Sequence, residues 1–230
     1  PFQEIKLEIK DDNTKNILKI SNKKYNDRLL VVSPIDFDEE FSSDDLPLVG
    51  VVAIIKNKIE LSNGNVRVTL RGERRVKVKE YHSFSTNILE ASCTQIELPK
   101  YDEIEERTVL KRLKDSVFKY IDSDSSVSNS IVKSVNESND IVFLSDVITS
   151  FMPFKFEKKA SYMMEINAIK RASSLINDIN LEIQFNNLED DIDSAIQCRL
   201  SKEQKDYYLR EKLKEIEEEL GTSLKDNDVY

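Results

Sequence analysis

The residues that could carry chemistry are few. His82 is the only histidine, so a multi-histidine metal site has nothing to be built from, and no His-based nucleophilic triad is read from the sequence. Next to Tyr81 and Ser83 at a strand end, His82 reads as a surface residue. Cys93 and Cys198 stand about a hundred residues apart with no CxxC spacing, which suggests neither a disulfide framework nor a zinc site. Both read as reduced, structural thiols with the buried habit of free cysteine. A phosphate-cradling loop needs GxxxxGK[ST], because glycine amides must approach the phosphates and the lysine must reach them. The only glycines are Gly50, Gly64, Gly72 and Gly221, and none fits.

The acidic cluster Asp36, Asp38, Glu39, Glu40, Asp44 and Asp45 lacks the spacing of an EF-hand loop and reads as a solvated loop. Phe37 and Phe41 lie inside it. Aromatics exposed among charges can grip unfolded segments, which makes these two the candidate substrate contacts; the alternative is that they tuck back onto a sheet. Arg67, Arg71, Arg74, Arg75, Lys77 and Lys79 form a basic group, most of which falls into alternation. The favoured reading is a solvent-facing side of strands, with a polyanion-binding patch as the minor one.

These residues must be positioned by a chain of 230 residues with 39% hydrophobic and 33% charged positions. That is enough for one large domain or two small ones with an apolar core. The net charge of -9 argues against broad attraction to nucleic acid or anionic membrane. No stretch approaches the roughly 20 apolar residues of a membrane span, and PFQEIKLEIK is not built like a signal peptide. The expectation is a soluble, cytoplasmic protein. Starting at Pro1 and ending at Tyr230 without a closing element, the chain reads as an excised piece.

Up to Pro99 the period is two. Ile5, Leu7 and Ile9 alternate with charged residues, which predicts a strand with one buried face. A helix is expected near Thr14 to Lys24, and core strands at Leu29 to Val32 and Leu48 to Ile55. Asn63-Gly64 supplies the positive-φ pair of a hairpin turn between Ile59 and Val78, with Val66, Val68 and Leu70 inward. Gly72 interrupts the alternation, as a bulge or bend in a closed or highly curved sheet would. A last strand runs through Leu89, Ala91 and Cys93 and shifts phase to Ile96 and Leu98. After Pro99 the period becomes 3.6: Ile104, Val109, Leu110, Leu113, Val117 and Ile121 form one stripe. Shorter helices are expected at 126 to 136, 141 to 151 and 157 to 165. From Ala168 to Leu220 no Pro or Gly occurs, and a continuous helix there would span about 80 Å. Apolar residues recur at 172, 176, 179 and 183 and at 209, 213, 216 and 220, with a weaker middle at Asn186, Asn187, Asp190, Asp191 and Asp193. Gly221 is a natural C-cap. The stripe of Tyr207, Tyr208, Leu209, Leu213, Ile216 and Leu220 marks burial without naming the partner.

Three segments carry a resemblance. DDLPLVGVVAIIKNKIELSNGNVRVTLRGERRVKVKEY, residues 44 to 81, resembles the N-terminal signature of Lon-type ATP-dependent proteases: acidic loop, Val-Gly strand, Asn-Gly or Asp-Gly hairpin and Gly-x-x-Arg bend. KDYYLREKLKEIEEELG, residues 205 to 221, is similar to that family's helix before its ATPase module and is the more specific match. SDVITSFMPFKFEKKASYMMEI, residues 145 to 166, resembles the helix, proline turn and short helix between them, while 100 to 140 matches in pattern more than in letters. The family's opening strand, with its Pro-Leu-Arg and Phe-Pro elements, is not seen before Pro1.

The resemblance implies an α+β fold: a small β-rich, barrel-like (PUA-like) subdomain at 1–99, a helical bundle at 100–166, a long amphipathic helix at 167–221 and a tail at 222–230. It also implies a cytosolic homohexamer in which an AAA+ ring, using ATP and Mg2+, unfolds proteins and a Ser-Lys dyad cleaves them. This chain would carry no catalytic or cofactor-binding residue. It would recognise unfolded or degron-bearing proteins and support assembly through the stripe at 207 to 220. Two alternatives stay open: a purely structural spacer, and a freestanding Lon-domain binding protein.

Overall fold

The computed structural model describes residues 1–33, 46–85, 88–97, 99–123 and 129–226, the side chains of 129–130 and 219–226 excepted. Its elements are β1 (Glu4–Ile9), α1 (Asp12–Lys24), β2 (Arg28–Val31), β3 (Val49–Glu60), β4 (Val66–Ser85), β5 (Ile88–Gln95), α2 (Glu103–Ser123), α3 (Asn129–Glu137), α4 (Ile141–Phe151), α5 (Phe156–Met164) and α6 (Ala168–Asp226). The fold is α+β, an antiparallel sheet followed by helices, with two compact units, Pro1–Asn180 and Leu181–Tyr230.

The long β4 organises the sheet, because one of its edges serves two partners in succession. Residues 66–71 pair with β1 and residues 76–85 with β5, while β3 runs along the other edge and carries β2. Between the two partners stands Gly72, whose N–H donates to Gln3 O (2.9 Å) and whose carbonyl accepts from Phe2 N–H (2.8 Å). A Cβ there would lie 3.2 Å from Pro1 Cα. The β3 register shifts at the same place, with Ala53 opposite Gly72 and Val52 opposite Arg74, so the bulge expected at Gly72 is present.

The alternation Val66, Val68, Leu70 faces the core with Ile9, Leu18 and Ala53. The expected burial of β1 is only partly realised. Ile9 is buried, but Ile5 and Leu7 stay 45% and 43% exposed; among the described residues β1 is an edge strand with β4 as its one strand partner. The hairpin turn also differs. Gly64 alone carries a positive φ, 79°; Asn63 instead accepts the Asn65 N–H on its side-chain oxygen at 3.0 Å.

The helices follow the 3.6 period. Leu110, Leu113 and Val117 of α2 are buried, joined by Tyr120, whereas Ile104 in its first turn is exposed. The Asp140 carboxylate caps α4, accepting from the Val142 and Phe143 amides at 2.8 and 3.1 Å. Ile141, Leu144, Val147 and Ile148 of α4 are buried, as are Leu175 and Ile179 of α6. Gly221 does not end α6, which continues to Asp226; a single interior glycine costs a helix only about 1 kcal/mol.

Candidate functional site: an apolar groove beside a buried charge node

The site begins with α1. Asp11 caps it through the Thr14 amide (2.7 Å), and that hydrogen bond holds the Asp11 carboxyl below its usual range. Capping fixes the rotation of the helix, so Leu18 and Ser21 face the core while Ile17 and Ile20 line a groove. The chain then reverses through Asn26 and Asp27, both at positive φ (50° and 61°), residue types that tolerate this region. Ser21 holds the turn, its carbonyl accepting from Tyr25 and Asp27 and its hydroxyl donating to Arg28 O (2.7 Å).

The groove encloses about 380 Å³ and is walled by Leu29, Leu30 and Val32 from β2 and its extension, and by Leu89, Ala91 and Cys93 from β5. The alternation expected of β5 is therefore real, but it faces the groove. Core burial in β5 falls to Ile88, and Leu89 is 49% exposed. Cys93 is free and exposed, as is Cys198, which corrects the expectation that both are buried. Partial burial raises the Cys93 thiol above its usual range, away from a reactive thiolate.

Charged pairs border this apolar lining. Glu90 accepts from Lys24 Nζ (3.0 Å) and from the Tyr25 hydroxyl, and Lys24 Nζ lies 4.8 Å from the Phe84 ring centroid. Arg28 forks onto Glu73 (2.8 and 3.2 Å), which holds the Glu73 carboxyl below its usual range. Tyr81 donates to Pro47 O (2.6 Å). Such a surface takes up apolar side chains, with polar groups at its margin to orient the rest.

A second feature lies inside the first unit. Arg75 of β4 donates to Asp146 of α4 at 2.7 Å, and Arg171 of α6 lies 3.4 Å from the same oxygen. Arg171 also reaches Ser145 Oγ (3.0 Å) and Glu165 O (2.6 Å). One carboxylate thus ties sheet, α4 and α6 together in a space nearly closed to water. Burial lowers the Arg171 pKa, opposed by the Asp146 charge. Arg75 departs from the solvent-facing reading of the basic group; Arg67, Arg71, Arg74, Lys77 and Lys79 are exposed. The available signal was a lone charge inside an apolar helical run, Asp146 in IVFLSDVITSF.

The structure brings His82 Nε2 to 3.0 Å from Ser92 Oγ and its Nδ1 to 3.6 Å from Glu80, partners that lie 10 and 2 residues away in the chain. All three sit on an exposed ladder outside the groove lining, where water screens any polarisation. Phe37 and Phe41 lie outside the described residues, as does the acidic cluster. Tyr207, Tyr208, Leu209, Leu213 and Ile216 are all exposed within this chain; the Leu220 side chain is outside the described set. A Cβ on Gly50 would meet Leu30 and Val32 at 2.8 Å, whereas Gly64 is set by its positive φ in the hairpin turn. Among the described residues no group of His, Cys, Asp or Glu could hold a metal, and no helix is long and apolar enough to cross a membrane.

An antiparallel sheet that opens an apolar groove, followed by helices, is the build of a binding module. Residues 2–180 match the family described as the ATP-dependent protease La (LON) substrate-binding domain, and the chain belongs to that family. Among curated relatives, the Lon protease of Brevibacillus choshinensis is 31% identical over 80% of this chain and 23% of its own length. Those of Buchnera aphidicola and Campylobacter jejuni are 27% and 26% identical over 96% and 99% of this chain, each over 28% of their own length. The chain thus spans about a quarter of these relatives. The N-terminal domain of Mycobacterium avium complex Lon protease superposes with a TM-score of 0.64 at 18% identity, over 78% of this chain and 91% of that one. The Lon N-terminal domain protein of Xanthomonas campestris gives 0.52 at 12% identity, over 77% and 90%.

Proposed function

We propose that this region captures apolar segments of unfolded or degron-bearing proteins in the groove between α1, β2 and β5. It would serve an intact cytoplasmic, homohexameric enzyme whose AAA+ and Ser-Lys modules use ATP and Mg2+ to unfold and cleave them in protein quality control. The observation that carries the reading is an apolar lining left open to solvent in a domain whose family is defined by substrate binding. Phe37 and Phe41 are further candidate contacts, and the helix at 207 to 220 is the candidate for assembly. Six copies around one substrate raise the effective concentration of weak sites.

Titration of the isotopically labelled chain with an unfolded protein or a degron peptide tests the capture reading. Resonances of Leu29, Leu30, Leu89 and Ala91 should move, and Leu89→Asp should suppress the response. Shifts confined to other surfaces, or none at millimolar ligand, would remove the groove from the account. In the intact enzyme, deleting residues 1 to 165 should abolish protein degradation while sparing small-peptide cleavage; loss of the ring instead would favour the structural role.

A further inference from the structure

A second concavity, of about 410 Å³, lies between α1 and β3. Its walls carry Lys19, Asn22 and Lys23 from α1 and Lys56 and Lys58 from β3, and Asp27 joins them, its carbonyl accepting from the Ile55 N–H at 2.8 Å. On a helix of 3.6 residues per turn, positions 19, 22 and 23 fall away from Ile17, Ile20 and Ser21, which face the apolar groove. Four lysines thus share one concavity with one acid, in a chain whose net charge is -9. The Asp27 carboxylate accepts from Asn22 Nδ2 (2.8 Å) rather than from a lysine. Among the described residues Lys19, Lys23 and Lys56 have no ion-pair partner, and Lys58 stands 3.9 Å from Glu60 in an exposed pair of little worth. The helix dipole favours a cation at Lys23, in the last turn of α1, but gives no account of the pair on β3. The strand itself is open there. Pairing with β2 ends at Ile54, and the register shift between Ile55 and Asn57 leaves Lys56 without a partner in β4.

We propose that this concavity binds an extended acidic segment of a partner polypeptide, lying along β3 at 56–58 beyond the end of β2, with its carboxylates against Lys19, Lys23, Lys56 and Lys58. Two properties of the site select that ligand. An open strand edge offers amides and carbonyls to another backbone, and lysines on such an edge turn away apolar and basic strands, so an acidic strand is the one admitted. The charge is also spread along two walls. No arginine fork and no helix N-terminus focuses it on one point, as recognition of a single phosphate would require; the wall from α1 is the C-terminal half of that helix. A run of carboxylates on a flexible backbone matches spread charge. The site shares no lining residue with the apolar groove, so it stands or falls apart from the capture reading.

Fluorescence anisotropy of a labelled hexaglutamate peptide on the full chain, with hexaglutamine as the uncharged control, tests the proposal. Hexaglutamate alone should bind, and its affinity should fall as salt rises past ~0.1 M, where the screening length is about 10 Å. Lys23→Glu with Lys56→Glu should lower the affinity about tenfold, since two attractions become repulsions. Lys77→Glu with Lys79→Glu makes the same change in net charge at exposed positions of β4 and should leave the affinity within about twofold. All four positions are exposed, and urea midpoints matching the parent's separate loss of binding from loss of fold. Equal losses in the two double variants would reduce the effect to the field of the whole chain and overturn the proposal. Tighter binding of inorganic tripolyphosphate at the same lysines would overturn it in favour of a phosphate ligand. Binding that emerges only after Asp36, Asp38, Glu39 and Glu40 are changed to Asn or Gln would make the chain's own acidic stretch the occupant and overturn it as well. The groove titration repeated on the Lys23→Glu, Lys56→Glu chain should match the parent, so the two sites fail separately.

Discussion

Two stretches of α6 have the same kind of residues and opposite surroundings. In the first unit, Ala168, Ala172, Leu175, Ile176 and Ile179 are buried, and Arg171 among them is 1% exposed. In the second, Leu181 to Ile192 and Leu209 to Ile216 have equally apolar seams left in water. Periodicity identifies a face and not what lies against it. Charge placement separates the two cases. Arg171 enters the interior because Asp146, Ser145 and a carbonyl receive it, whereas the charges of 181–218 remain at the surface.

The largest expected effect comes from breaking the buried side of that comparison. Asp146→Ala leaves two guanidinium groups facing each other without their carboxylate, and removing one member of a buried charged set typically costs about 3–5 kcal/mol. Urea denaturation should show this as a lower midpoint with an unchanged slope. A cost below about 1 kcal/mol, the value of a surface pair, would mean that water reaches the node and that apolar packing alone joins sheet to helices.

The comparison is sharpened by the same truncation on both sides. Ile179→Ala removes methylene and methyl groups from a fully buried position and should cost about 2–5 kcal/mol. Leu213→Ala, measured at a dilution where copies do not associate, should stay within about 0.5 kcal/mol. Equal losses would show that the second seam is covered by its own chain. Between these lies Asp140→Ala, which frees the Val142 and Phe143 amides at the start of α4 and should cost about 1 kcal/mol.

The contrast also explains what could be read from the sequence. The strands through Val66–Leu70 and the bulge at Gly72 were legible because local alternation and a glycine that interrupts it act within a few residues. The groove was not, since Leu89, Ala91 and Cys93 alternate as core residues do, and only the pairing of β5 to the far half of β4 turns them outward from the core. Arg75 looked like its exposed neighbours because its partner lies 71 residues away. The first seam of the second unit was masked by the asparagines and aspartates interleaved with it, which lie on other faces of the same turns.

The smallest effect concerns the Arg28–Glu73 fork beside the groove, partly exposed and so closer in kind to the surface pairs of the second unit. The Glu73 carboxyl is held below its unfolded value by Arg28, so its contribution to stability is present above the unfolded carboxyl range of about 4.3 and is lost as pH falls through the lower folded value. Glu8 and Asp11 are depressed as well, so the parent chain weakens in acid whether or not the fork exists. Only the difference from Glu73→Gln isolates it. The urea midpoint of the variant should lie slightly below that of the parent at neutral pH and converge with it below about pH 4. A gap independent of pH would show that the fork does not hold its charge in solution, and that Arg28 is positioned by its backbone bonds to Tyr25 and Ser21 alone.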